Sequence, residues 1–188
     1  MSDNFFKGLI FTANKTTNMK KTVIVNGLIA GLISSSLFIA LMLLGKAGDL
    51  DFKNGMVYGF SLMILAFSFI FVGTKSVRDQ NGGTISFGKA FLVGLYISLI
   101  ASTIYVLVWM IDLNLFIPDF AEKYGAHMFE QLKAEGASQA AIDSKLTEVA
   151  KFKKMYESPV FVVLMTYVEI LPIGILVSLI SALFLKKK

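Results

Sequence analysis

One acid stands inside a long apolar run: Glu169, within Ser158–Leu185. An ionisable side chain in lipid is costly, so it marks a functional site by default. Pro172, three residues on, has no amide hydrogen and leaves the Val168 carbonyl without its helical partner. A neutral Glu169 could donate a hydrogen bond to a carbonyl freed in this way. At about 1.5 Å per residue, Glu169 lies roughly 10–15 Å below the outer end of its run. Ser34–Ser36, Ser61, and Ser102 with Thr103 fall at a similar depth in the other apolar runs. Glu169, Pro172, Ser35, Ser61, Ser102 and Thr103 therefore form a candidate intramembrane polar layer. The simplest reading is an interhelical hydrogen-bond clamp. The sharper one is a proton or cation relay, or a polar-substrate site; a lipid-facing acid without a role is the third.

Other chemistry is thinner. Gly83–Lys89 has the spacing of a phosphate-binding loop, but Ala90 stands where the magnesium-binding hydroxyl belongs, and an apolar run precedes it instead of a strand. A turn at Asn81-Gly82-Gly83, a helix start at Ser86 and headgroup contacts from Lys75, Arg78 and Lys89 explain the segment better. His127 is the only histidine and cysteine is absent, which leaves too few ligands for a metal centre. No catalytic triad or paired carboxylates can be assembled. We expect no enzyme activity, no cofactor and no metal.

These residues must be held by membrane helices. The chain is 55% hydrophobic and only 16% charged over 188 residues, and its mean hydropathy is +0.69. A soluble fold of this size leaves too much of its chain exposed to hide so much apolar surface. The composition also excludes disordered, collagen-like and disulfide-scaffold classes. Thr22–Gly45, Asn54–Thr74 and Ala90–Ile111 carry no charge, and Ser158–Leu185 carries only Glu169. Each is long enough to cross about 30 Å of hydrocarbon as a helix. The expected fold is an all-α integral membrane protein with four transmembrane helices at about 22–45, 54–74, 90–111 and 159–185. The domain they form, 22–185, follows a flexible cytoplasmic segment, 1–21, and precedes a basic cytoplasmic tail, 186–188. Met19-Lys20-Lys21 before an apolar run resembles a signal peptide. The run is too long, however, and Leu41-Met42-Leu43-Leu44 occupies the place of the cleavage site. An uncleaved first helix is expected, with Met19 as an alternative start.

The N-terminal segment, the second loop and the tail hold ten Lys/Arg, against eight in the other two loops. The ten lie in shorter segments and flank the leading side of the first helix, which puts both termini inside. The basic pI of about 9.3 then reflects topology, and nucleic acid is not an expected partner.

The third loop, about Asp112 to Glu157, is the one sizeable polar region. Phe116, Phe120, Tyr124, Met128 and Leu132 recur every four residues, Pro118 suits the first turn, and Gly136 ends that helix. Ser138 caps a second helix striped by Ile142, Leu146, Val149, Phe152 and Tyr156. A helical hairpin at 116–157, outside the membrane, is expected. Its stripes must face each other, the membrane surface or a partner. Phe120, Tyr124, Met128, Phe152 and Tyr156 are the candidate partner surface.

Small residues spaced by four stripe every span: Gly27, Gly31 and Ser35; Gly55 and Gly59; Ala90, Gly94, Ser98 and Ser102; Gly174, Ser178 and Ala182. Such stripes let membrane helices approach closely, within one bundle or between copies. Tyr58, Tyr105, Trp109 and Tyr156 fall at the outer interface, where amphipathic rings anchor depth without needing a ligand.

From Met19 to Lys188 the order of features resembles a bacterial family common in Bacteroidota, domain of unknown function 4199. Carrying it are Met19-Lys20-Lys21, Gly27 with Gly31, Arg78-Asp79 to Gly82-Gly83, Ile85 to Phe91, Pro118-Asp119-Phe120, and Glu169 with Pro172. The resemblance implies a bacterial inner-membrane location and brings no activity or catalytic residues. The expected function is an accessory or scaffolding subunit of an envelope system, docking a membrane or periplasmic protein through the hairpin. The alternative is a small homo-oligomeric transporter or channel-like protein, using Glu169 as a proton or cation site. Membrane lipids are partners in either case.

Overall fold

The structure is a computed structural model describing residues 2–46 and 54–187, with side chains from Asn18 onward apart from Met56. The lysines at 7 and 15 therefore enter by backbone alone, and Lys53 and Lys188 lie outside the described residues. Seven helices occupy the described chain: α1 (Ser2–Ser34), α2 (Ser36–Leu43), α3 (Gly55–Gln80), α4 (Phe87–Leu115), α5 (Phe120–Ala134), α6 (Gln139–Tyr156) and α7 (Pro159–Leu185). Three stretches are long and apolar enough to cross a membrane: Val57–Gln80, Phe87–Leu115 and Pro159–Leu185. The bent pair Asn18–Ser34 and Ser36–Leu43 makes a fourth if it counts as one span.

The elements differ from the sequence expectations in three places. Helix α1 already begins at Ser2, where a loose segment was expected. No proline and only one glycine, Gly8, precede Asn18, so nothing interrupts a helix extended backward from the apolar run. The first run is not straight: it bends by 56° at Ser35. Ser34 and Ser36 donate their hydroxyls to the Gly31 and Ile33 carbonyls at 3.0 and 2.8 Å, the back-bonding that bends helices. Finally, α4 runs on past Ile111 and takes Asp112 with it.

The local stop and start signals act where the residue types place them. Ser86, Ser138 and Ser158 each accept a backbone N–H three residues ahead at 3.4 Å, capping α4, α6 and α7. Gly136 ends α5 with φ +68°, and Gly82 and Gly83 turn α3 towards α4 with φ +78° and +80°.

Helices α4 and α7 meet along their small residues. A Cβ on Gly94 would lie 2.8 Å from Ser178 Oγ, and one on Gly174 would lie 2.8 Å from Ser98 Cβ. The Ser98 and Ser178 hydroxyls approach to 3.2 Å between the two glycines. Gly27 and Gly31 of α1 receive Ile100 and Ile104 of α4. Met63, Phe67 and Ile70 of α3 fill the centre with Ile97 and Ile170. Gly55 and Gly59 have no neighbour where a Cβ would stand, so the expected α3 stripe is not a packing seam. Leu28, Leu32, Ile64, Leu107, Leu164 and Leu176 point outward, while Ser98, Ser102 and Ser178 are buried. Apolar outside and small or polar within is the pattern of a bundle solvated by lipid.

At one end of the bundle, Ile85 and Lys187 exchange two backbone hydrogen bonds of 2.9 Å in a single antiparallel bridge. Gln80 donates to the Thr22 hydroxyl at 3.2 Å at this same end. Helices α5 and α6 lie at the other end as an antiparallel pair. Phe120 packs on Tyr156, Tyr124 on Phe152, and Lys153 pairs with Glu122. Gly125 permits this approach, because a Cβ there would lie 2.5 Å from Val149 Cγ1.

Candidate functional site

The bend after Ser34 swings α2 aside and places Phe38 against two rings of α4, 5.7 Å from Tyr105 and 5.0 Å from Trp109. Trp109 also meets Phe120 edge-on at 5.0 Å. Between these rings, the start of α3 and the hairpin, a cavity of about 560 Å³ opens. Its walls come from all seven helices: Ser34, Phe38, Tyr58, Tyr105 and Trp109 from α1 to α4, then Tyr124, Tyr156 and Glu169 from α5 to α7. Glu169 lines this space and is exposed instead of sealed between helices, and none of the described ion pairs involves it.

Two of the cavity's hydroxyls serve only as acceptors. Ser34 and Thr166, both buried, give their hydroxyl hydrogens to the Gly31 and Val162 carbonyls at 3.0 and 2.8 Å. Their oxygens keep only lone pairs for the cavity. No Lys or Arg lines it. A neighbouring cavity of about 470 Å³, between the hairpin and the start of α7, carries Lys153 beside Glu122 and Glu157 and so mixes both signs.

The expected polar layer does not assemble around Glu169. Ser61 donates to the Val57 carbonyl on an exposed face. Thr103, exposed, donates to Leu99 and lies 2.9 Å from the Tyr167 hydroxyl. Pro172 is exposed within an unbroken α7. Ser35 and Ser102 are buried with hydroxyls that have no partner among the described residues. Equal depth on four helices does not imply a shared azimuth, and only Glu169 of the six lines the cavity.

The four outer aromatics come together. Tyr58, Tyr105, Trp109 and Tyr156 all line the same cavity, and Tyr105 and Trp109 are only 6% and 8% exposed. They are walls more than lipid anchors. The hairpin's five candidate docking residues are half-buried, and four of them, Phe120, Tyr124, Phe152 and Tyr156, stack on one another.

Two further features escaped the sequence reading. Asp112 is 1% exposed, and its Oδ1 has no hydrogen-bond partner among the described residues. The Ser34–Ser36 run stands out in the sequence for its polarity, and in the structure it is also the place where the axis bends. His127 is half-buried on α5, and no group of three or more His, Asp or Glu that could hold a metal ion occurs among the described residues.

A family model described as "Protein of unknown function (DUF4199)" matches residues 26–187. The chain belongs to this family. The DUF4199 match takes in every residue lining the cavity, the hairpin and the α4–α7 seam. No curated protein and no solved structure matches the chain.

Proposed function

We propose that this DUF4199 protein is a four-span bacterial inner-membrane protein that binds a cation at Glu169, as a small transporter-like module. The carrying observation is the cavity itself: one carboxylate, engaged in no described ion pair, in a space of about 560 Å³ without a basic residue. A carboxylate taken from water without a counter-charge is unfavourable, so the site is complementary to a positive guest. The contact of Gln80 with Thr22 and the Ile85–Lys187 bridge favour both termini on one side, cytoplasmic by the lysine distribution. The hairpin then lies on the outer side as a roof. The accessory reading, docking through Phe120, Tyr124, Met128, Phe152 and Tyr156, ranks second because those rings mostly cover one another.

The test is flux across proteoliposomes, measured for protons, alkali ions and small alkylammonium ions, with Glu169→Gln as the variant. At least one of these fluxes is expected, with a fall of about tenfold or more in a variant that inserts and folds normally, as for loss of a charge-assisted contact. Equal flux in both proteins, or none in either, would return the accessory reading to first place.

A further inference from the structure

The walls of the cavity discriminate among cations. An alkali or alkaline-earth ion needs a shell of about six to eight oxygens. The cavity offers one carboxylate and scattered hydroxyls, and no group of three or more His, Asp or Glu that could hold a metal ion is found among the described residues. Its volume of about 560 Å³ also far exceeds the roughly 30 Å³ that a single water occupies. What it does offer is rings. Phe38, Tyr58, Tyr105, Trp109, Tyr124 and Tyr156 reach it from five helices, and aromatic faces attract a cation whose charge is spread over carbon-bearing nitrogen. Leu37, Leu41 and Leu62 complete an apolar floor.

We propose that the cavity is a receptor for an organic ammonium ion, its positive nitrogen held by Glu169 and the aromatic rings and its apolar substituents against the leucines. This rests on the reading of Glu169 as a cation site and narrows it to one class of guest. A neutral lipid tail would fill the same volume but leave the carboxylate without a counter-charge, and acceptor-only hydroxyls at Ser34 and Thr166 suit a cation equally.

Trp109 is the only tryptophan in the chain and stands in the cavity wall, so its fluorescence reports on this site alone. The experiment titrates the full-length protein in phosphatidylglycerol vesicles with benzyltrimethylammonium and, separately, with neopentylbenzene, its uncharged carbon isostere. Saturable change in Trp109 emission is expected with the ammonium and not with the isostere. Glu169→Gln and Tyr58→Leu should each weaken binding about tenfold or more. Tyr58 is 54% exposed, so its replacement leaves the core intact if Glu169→Gln fails to fold. Exchanging phosphatidylglycerol for phosphatidylcholine separates the sources. Competition with the probe identifies a lipid headgroup as the guest, and unchanged affinity identifies a free ammonium. Equal binding of the isostere, or an affinity indifferent to both substitutions, overturns the proposal. If ammonium binding fails while alkali-ion or proton flux still depends on Glu169, only the guest class falls. If neither depends on Glu169, the cation-site reading falls with it.

Discussion

Tyr156 closes α6 with its phenol turned into the cavity roof. Burial, above all, pushes its pKa from 10.0 up to about 12; the Trp109 indole beside it acts the other way, and Glu169 and Tyr124 add to the rise. The folded chain therefore keeps this proton where the unfolded chain has lost it. The stability it contributes is intact below pH 10.0 and drains away as pH climbs towards about 12. Tyrosinate absorbance and helicity followed together should show the hairpin loosening within that window, and Tyr156→Phe should hold its helicity to higher pH. Ionisation near pH 10 with no structural change would mean that the phenol is not buried. Glu169 and Asp112 show the limits of single-residue reading. The first was legible because an acid in an apolar run is anomalous at any azimuth. Asp112 reads as the start of a loop, because nothing in the surrounding types reveals that α4 continues past it into a covered position.

Helices were legible where their signals are local. Ser86 and Ser138 as helix starts and Gly136 as a stop each act within four residues. The bend at Ser35 was not, because hydropathy averages over it: Ser34, Ser35 and Ser36 hardly dent an apolar run, yet the Ser34 and Ser36 hydroxyls bond back to the helix where its axis turns. The hairpin's period was readable, but which way its stripes turn was a question about partners in three dimensions. Gly125 decides it by letting α6 come close. Gly125→Leu should force α5 and α6 apart at Val149, costing about 1–3 kcal/mol as overpacking generally does. A lowered thermal midpoint with altered Trp109 emission would confirm that the hairpin and the cavity wall are one structure. A lowered midpoint with unchanged emission would separate them.

Over the whole molecule, the cavity is the feature that no segment carries. Its lining comes from all seven helices, and the same four aromatics that depth alone assigns to the interface become walls once azimuth is known. Lipid supplies little drive for burying leucine, so the bundle holds by fit at glycine and serine, with α4 against α7 as its main seam. That seam has an approximate local dyad. Gly94 faces Ser178 and Ser98 faces Gly174, so knob and hole trade places across the serine pair. A lock with such halves is indifferent to which side owns the knob. Gly174→Ala alone should destabilise by about 1–3 kcal/mol, whereas adding Ser98→Gly removes both contacts at 2.8 Å and leaves only the Phe67 ring at 3.2 Å to adjust. Recovery of most of the lost thermal stability in the double variant, as a coupling between the two sites, would place the bundle's specificity in the pairing and not in either residue. If the two losses merely add, the symmetry has no energetic meaning.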